Sequence, residues 1–345
     1  MYDSEFLSLC GSLDSYAPGT GVIMADRQLR RALDSGAVQI EKIDGERTVA
    51  RVISSGKWFL LDGGVRTAML GAAFGDIAGS VYEWRNIKRK LEPDELFCAR
   101  SRFTDDTVMT CAVARGLSGA LSKQPLHGLN APEAEAMLFE SVQREMQRFG
   151  RRYPRAGYGG RFMRWIASAD PRPYGSWGNG SAMRASYAGW AAESPEEAEK
   201  LGEISARVTH DHPEGIKGAV AVAGCIYRLR VGASKEDVRA YASRFYDLNF
   251  TLDDIRERYT FDVSCAGSVP QAIEAFLEGG SFTGVISNAI SIGGDSDTIA
   301  AIAGSIAEAF YPIPQTLRGE MLDRLDPFLL DTIADSIDAL VRRAL

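Results

Sequence analysis

The chain has 345 residues, 45% of them hydrophobic and 25% charged; these ordinary fractions exclude disorder and collagen-like repeats. At roughly 150 residues per domain, the length holds about two domains, or one large one with an appendage. The balance of 39 Lys and Arg against 46 Asp and Glu, net −7, argues against nucleic acid held by counterion release alone, and no window reaches the ~18 uninterrupted apolar residues of a membrane span.

The start, Met1-Tyr2-Asp3-Ser4-Glu5, is acidic and lacks the basic segment and apolar run of a secretion signal. Residues 1–24 read as a loose arm. Between Asp26 and Ser35, Leu29 and Leu33 predict a short amphipathic helix stopped by Gly36. The β-rich runs Val38–Ile43 and Thr48–Ile53 flank Asp44-Gly45, which predicts a hairpin, because Gly accepts the positive φ such a turn requires. Lys57–Leu61 is a candidate third strand, and Gly63-Gly64 a joint. From Val65 onward the pattern is helical. Leu138, Val142 and Phe149 mark one face of a helix ended by Gly150. Ser194-Pro195-Glu196-Glu197 has a capping Ser, Pro at the first helical position and a Glu that can reach back to the cap amide. Thr251-Leu252-Asp253-Asp254 repeats the form with Asp. Ile333, Ile337, Leu340 and Val341 line the last helix, with Arg342 and Arg343 placed to complement its dipole. No repeat of 20 to 50 residues is visible. The five cysteines are scattered without a C-x-x-C and read as reduced thiols in a cytoplasm. The expectation is an all-α domain over 65–345 and a small α+β N-terminal extension over 1–64.

Five segments put chemistry-bearing residues where a helix would not choose them. In Gly75-Asp76-Ile77-Ala78-Gly79-Ser80-Val81-Tyr82-Glu83, each Gly costs a helix about 1 kcal/mol relative to Ala. That points either to close helix packing or to backbone brought near a ligand. Asp76 and Glu83 are seven apart and would share a face of a helix. Thr104-Asp105-Asp106-Thr107 reads as a helix N-cap. Gly293-Gly294-Asp295-Ser296-Asp297-Thr298 sets hydroxyls and carboxylates at a second helix start. Together the two clusters supply the all-oxygen donor set that Mg²⁺ or Mn²⁺ wants; the alternative is two unrelated caps. Ser176-Trp177-Gly178-Asn179-Gly180-Ser181-Ala182-Met183-Arg184 offers backbone amides of the kind that bind phosphate, or else forms a plain Gly-rich turn. Thr209-His210-Asp211-His212-Pro213 holds two of the three histidines, as a soft-metal H-x-H site or as structural hydrogen-bonding groups.

In this order, G-D-x-x-G-x-x-x-E, T-D-D-T, G-N-G-S-A-M-R, T-H-x-H-P and G-G-D-S-D-T resemble the ADP-ribosylglycohydrolase family, including the dinitrogenase-reductase-activating glycohydrolases. Ser268-Val269-Pro270-Gln271-Ala272 looks like the family's substrate-loop segment, before a helix ended by Gly279-Gly280. The resemblance covers roughly 65–345. It implies an all-α, orthogonal multi-helix domain and a metal-dependent hydrolase with two divalent cations, Mg²⁺ or Mn²⁺, in a cleft. The reaction it implies is removal of ADP-ribose from modified protein, arginine-linked above all, by cleavage of an N- or O-glycosidic bond. By motif, Thr104, Asp105, Asp106, Asp295, Asp297 and Thr298 match metal ligands, and Glu83 and Asp76 match the catalytic acidic positions. Gly178, Asn179, Gly180, Ser181, Met183, His210 and Ser268 match substrate-binding positions.

The departure from the family lies at the front, where members often begin near the equivalent of Arg66-Thr67-Ala68-Met69-Leu70-Gly71. Some members act as immunity proteins against bacterial ADP-ribosyltransferase toxins, so the first 64 residues are a candidate arm for binding a cognate toxin; the bland reading is a cover for the core. Two rivals stand beside the hydrolase. Asp295-Ser296-Asp297-Thr298 approximates a D-x-D-x-T phosphatase motif, wrong by one residue and in need of a preceding buried strand. The other rival is a non-catalytic inhibitor or binding protein acting through the N-terminal extension.

Overall fold

The computed structural model describes residues 36, 38–43, 47–52, 58–60, 68–122 and 131–344. The arm over 1–24, the helix expected over 26–35 and the Gly63-Gly64 joint lie outside the described residues. Before residue 68, three strands form one antiparallel sheet in the order β1-β2-β3: β1 is Val38–Ile43, β2 Arg47–Val52 and β3 Trp58–Leu60. The register pairs Val38 with Val52 and Ile43 with Arg47, then Val49 with Leu60. This is the expected hairpin with its third strand, the second strand beginning one residue earlier.

After residue 68 the described residues are helical, with a single isolated bridge between Gly178 and Ser264 as their only β pairing. In chain order the helices are α1 Leu70–Gly79, α2 Asp105–Leu121, α3 Pro132–Arg152, α4 Gly160–Ala167, α5 Ser186–Ala191, α6 Pro195–Arg207 and α7 Pro213–Arg230. They continue as α8 Lys235–Ala242, α9 Leu252–Arg256, α10 Cys265–Glu278, α11 Phe282–Ser291, α12 Ser296–Glu308, α13 Gln315–Leu322 and α14 Pro327–Ala344. Leu138, Val142 and Phe149 are fully buried as their spacing predicts, although α3 continues two residues past Gly150. The Thr251 capping box forms in full. At α6, Ser194 accepts from the Glu197 amide, but the Glu197 carboxylate takes the Glu193 N–H rather than that of the cap.

The pair α1–α12 sets the position of the site. The two helices run antiparallel and touch backbone to backbone. A Cβ added at Gly75 would lie 1.9 Å from the Ala300 carbonyl oxygen, and one at Gly79 would lie 2.4 Å from Asp297 Cα. The glycines of the opening motif therefore serve helix packing, the first of their two readings. The N-terminus of α1 is capped from a distance: Leu70 and Gly71 donate their amides to the buried Glu308 carboxylate at 3.2 and 2.9 Å. A carboxylate there satisfies orphan donors and complements the helix dipole.

Candidate active site

Close packing of α1 on α12 lays Asp76 beside the start of α12, and α2 begins against the same place. Thr104 caps α2 and donates its amide and hydroxyl to Asp76 at 2.8 and 2.7 Å. The Thr107 amide adds a third bond at 3.0 Å. Asp76 is thereby immobilised and completely buried. Thr298 reaches across from α12 and donates to Asp106 Oδ2 at 3.1 Å. Carboxylate oxygens of Asp76, Asp106 and Asp297 come within 4.8 Å of one another, as do those of Glu83, Asp295 and Asp297. The two clusters read from the sequence thus meet in space, with Asp297 common to both triads. Asp105 lines the same cavity but belongs to neither triad.

Glu83 arrives by another route than the expected one. It does not share a helix face with Asp76, because α1 stops at Gly79. Ser80 turns its hydroxyl back to the Ile77 carbonyl, and a succession of tight turns carries the chain onward. From those turns the half-buried Glu83 carboxylate faces Asp295 and Asp297. Asn86, at φ +46, accepts the Gly294 amide, and Lys88 donates to the carbonyls of Tyr259 and Ile292. These bonds fix the turn against the loop that precedes α12.

Among the described residues little positive charge faces the cluster: Arg102 acts on Glu83 without forming an ion pair. Burial first, then Asp106, Asp295 and Glu83, push the Asp297 carboxyl far above the usual carboxylate range. Burial, then Asp76, Asp105 and Asp295, do the same to Asp106. Asp105 is pushed up to about 7 by burial and by Asp76. Burial and Asp295 raise Glu83. Among the described residues no Lys or Arg forms an ion pair with this group, and buried Asp106 Oδ1 has no hydrogen-bond partner. Like charges this close are stable only with protons or cations between them. The donors are all oxygen, so they fit a hard divalent cation.

A cavity of about 640 Å³ opens from the acidic cluster. Glu83, Thr104, Asp105, Asp106, Asp295, Asp297 and Thr298 form its acidic end. Gly178, Asn179, Gly180, Met183 and His210 also line it. Ser181 and Ser268 do not. Both are fully buried; Ser181 donates to the Gly215 carbonyl at 2.7 Å, and the Ser268 hydroxyl accepts from Asn179 Nδ2 at 2.9 Å. Asn179 also donates to Asp295 Oδ2 at 2.7 Å, so its amide orients a carboxylate. Ser268 lies inside α10 rather than before a helix. The Ser264 cap starts that helix early, and Pro270 within it removes only one backbone donor. The two histidines of T-H-x-H-P diverge. His210 Nδ1 meets Thr209 Oγ1, whereas exposed His212 caps α7 through the Glu214 amide, so they form no H-x-H metal site. The segment before Asp295 is helix α11, not a strand, which removes the phosphatase reading.

Reasoning from motifs missed the mouth of the cavity. Trp84, 78% exposed, stacks on Phe261 with ring centroids 5.2 Å apart. Arg102, Arg161 and Tyr174 also line the wall, and Arg161 lies over the Tyr174 ring at 5.2 Å. An aromatic beside Glu83 was on view in the sequence, but nothing local paired it with Phe261.

Comparison with known proteins gives a consistent picture. The family model described as ADP-ribosylglycohydrolase matches residues 61–345. ADP-ribosylhydrolase ARH3 of Mus musculus is 27% identical over 328 residues, covering 72% of this chain and 84% of its own. The ADP-ribosyl-dinitrogen reductase glycohydrolase of Rhodospirillum rubrum is 27% identical over 288 residues, covering 80% of this chain and 95% of its own. A solved structure titled ADP-ribosylglycohydrolase-related protein complex superposes with a TM-score of 0.55 at 24% identity, covering 81% of this chain and 97% of that one; it shares the fold.

Proposed function

Because the chain belongs to the ADP-ribosylglycohydrolase family, and so is a hydrolase of glycosidic bonds to ADP-ribose, we propose that it releases ADP-ribose from modified arginine on protein, using two divalent cations, Mg²⁺ or Mn²⁺. The observation that carries this reading is the pair of carboxylate triads sharing Asp297, whose members other than Asp76 line the cavity. Asp106, Asp297 and Thr298 would hold one cation, with Asp76 behind them, and Asp105, Asp295 and Asp297 the other; Thr104 fixes Asp76 and Asp106. Bound there, the cations would offset the carboxylate charge and polarise oxygens of ribose and of the attacking water.

The chain's own groups supply the rest. Glu83 reaches the cavity from a turn, with a pKa raised by burial and by Asp295, which suits a group that carries a proton to or from the reacting atoms. Asp76, whose oxygens accept from the amides and hydroxyls of Thr104 and Thr107, is suited to fixing the start of α2 beside the cluster rather than moving a proton. Gly178, Gly180, Met183 and His210 would hold the ADP portion. At the mouth, the Trp84 face beside Glu83 suits a flat cation, since a guanidinium over an indole ring gains about 0.5–2 kcal/mol.

We further assign residues 1–64 to an arm that binds a partner, a cognate ADP-ribosyltransferase toxin in the case of an immunity protein, and place the enzyme in the cytoplasm. Strands β1 and β3 are the sheet's edges, which can pair with another chain. Among the described residues no helix is long and apolar enough to cross a membrane.

The test is release of ADP-ribose from arginine-, serine- and DNA-linked substrates, side by side, with Mg²⁺, Mn²⁺ or chelator. Arginine-linked substrate should turn over fastest, and only with a cation. Turnover confined to serine or DNA linkages would overturn the acceptor, and turnover in chelator would overturn the cations.

A further inference from the structure

Behind the Gly178–Gly180 wall, His210 is backed by two buried polar groups, Arg184 and Thr209, to which the reaction as described gives no role. Arg184 is 1% exposed, and its Nη2 donates to the Ser205 carbonyl at 3.0 Å and to Thr209 Oγ1 at 2.8 Å. Thr209, fully buried, places the same oxygen 2.7 Å from His210 Nδ1. His210 Nε2 faces the cavity wall. A Cβ added at Gly180 would stand 3.3 Å from that nitrogen and one at Gly178 3.6 Å, so side chains at the two glycines would crowd it, and His210 lines the cavity beside them.

The hydrogen count decides the histidine's state. Thr209 has one hydroxyl hydrogen and already accepts from Arg184. If His210 carried its proton on Nδ1, the hydroxyl would accept twice and its own hydrogen would be buried without an acceptor, at a cost of the size of a lost hydrogen bond. If the hydroxyl donates to Nδ1, both the Thr209 hydrogen and His210 Nδ1 are satisfied and the ring proton sits on Nε2; Arg184 Nε lacks a partner in either tautomer, so it does not alter the choice. A second proton on the ring is opposed by burial and then by the nearby Arg184 charge, which together hold the His210 pKa well below its ordinary value.

We propose that Arg184 and Thr209 are positioning residues forming a one-way relay, Arg184 to Thr209 to His210, that presents a neutral imidazole with its Nε2–H as a fixed donor to an anionic ligand oxygen in the cavity. On the reading of function given above, that oxygen belongs to the diphosphate of ADP-ribose. The fixed polarity matters because a neutral ring can donate or accept, and only the donor form suits a phosphoryl oxygen.

Long-range proton–nitrogen NMR on the full-length chain tests the relay without any ligand; the His210 signal is assigned by its loss in His210→Gln. Between pH 6 and 8 the ring should be neutral with its proton on Nε2. Thr209→Val should abolish that preference and weaken ADP-ribose binding, read by calorimetry, by roughly tenfold or more, whereas Thr209→Ser should restore both. Circular dichroism shows whether each variant folds. A ring protonated on Nδ1, an imidazolium at neutral pH, or a Thr209→Val chain that folds and keeps both the tautomer and the affinity would overturn the relay. Failure of the unaltered chain to bind ADP-ribose would instead overturn the reading of function and the donor's ligand with it, while the NMR pattern judges the relay alone.

Discussion

At the scale of single residues, Asp297 is the most connected group of the site, because its carboxylate belongs to both triads. Deleting it removes an anion from each at once. Asp297→Ala should therefore lower divalent-cation affinity in calorimetric titration and abolish turnover, and Asp106→Ala should do the same; unchanged affinity in both variants would remove the cation site. Glu83 lies differently, at the edge of the cluster on a turn rather than under it. Glu83→Gln keeps the shape and removes the proton carrier. It should fold with an unchanged melting temperature and lose roughly 10² to 10⁴ in kcat. Turnover at the unaltered rate would exclude Glu83 from the chemistry.

At the scale of elements, the site depends on how close α1 can come to α12. The contact has no side chain between the helices at Gly75, where a methyl group would overlap the Ala300 carbonyl. Gly75→Ala would improve helix propensity by about 1 kcal/mol and yet should destabilise the protein, because forced overpacking commonly costs about 1–3 kcal/mol. Thermal unfolding measures the sign directly. Separation of the helices would also part Asp76 from Asp297, so cation affinity should fall in the same variant. The N-terminal sheet offers the opposite expectation. A chain started at Val65 keeps every motif of the site, so it should remain folded and hydrolyse ADP-ribosylated protein while losing a cognate transferase in a pull-down. Loss of the fold, or retained binding, would make the extension structural.

For the molecule as a whole, burying Asp76, Asp106 and Asp297 together works against folding when nothing offsets their charge. A ligand that binds only the folded chain stabilises it by mass action, about 2.7 kcal/mol at a hundredfold excess over Kd. Added Mg²⁺ or Mn²⁺ should accordingly raise the melting temperature and chelator should lower it, whereas the Asp297→Ala chain should show little response. An equal rise in both chains would assign the effect to general ionic screening.

Some of this was legible in the sequence, because it is local. Caps such as Ser194 and Thr251 are settled within three residues of themselves, and the pairing of β1 with β2 by two β-rich runs close together in the chain. The oxygen donors of the two helix starts were also on view, since a cap position fixes where each carboxylate must stand relative to its own helix. What the tertiary structure decided is which of them face one another. Glycines of α1 gain their meaning only from the α12 backbone they touch, and Glu308 caps a helix 238 positions away. Ser181 and Ser268 sit within matching motifs yet turn inward, and Trp84 finds Phe261 across the mouth. Side-chain direction depends on the phase of each helix against its neighbours, and that phase is set by packing across the whole domain, which no window of sequence contains.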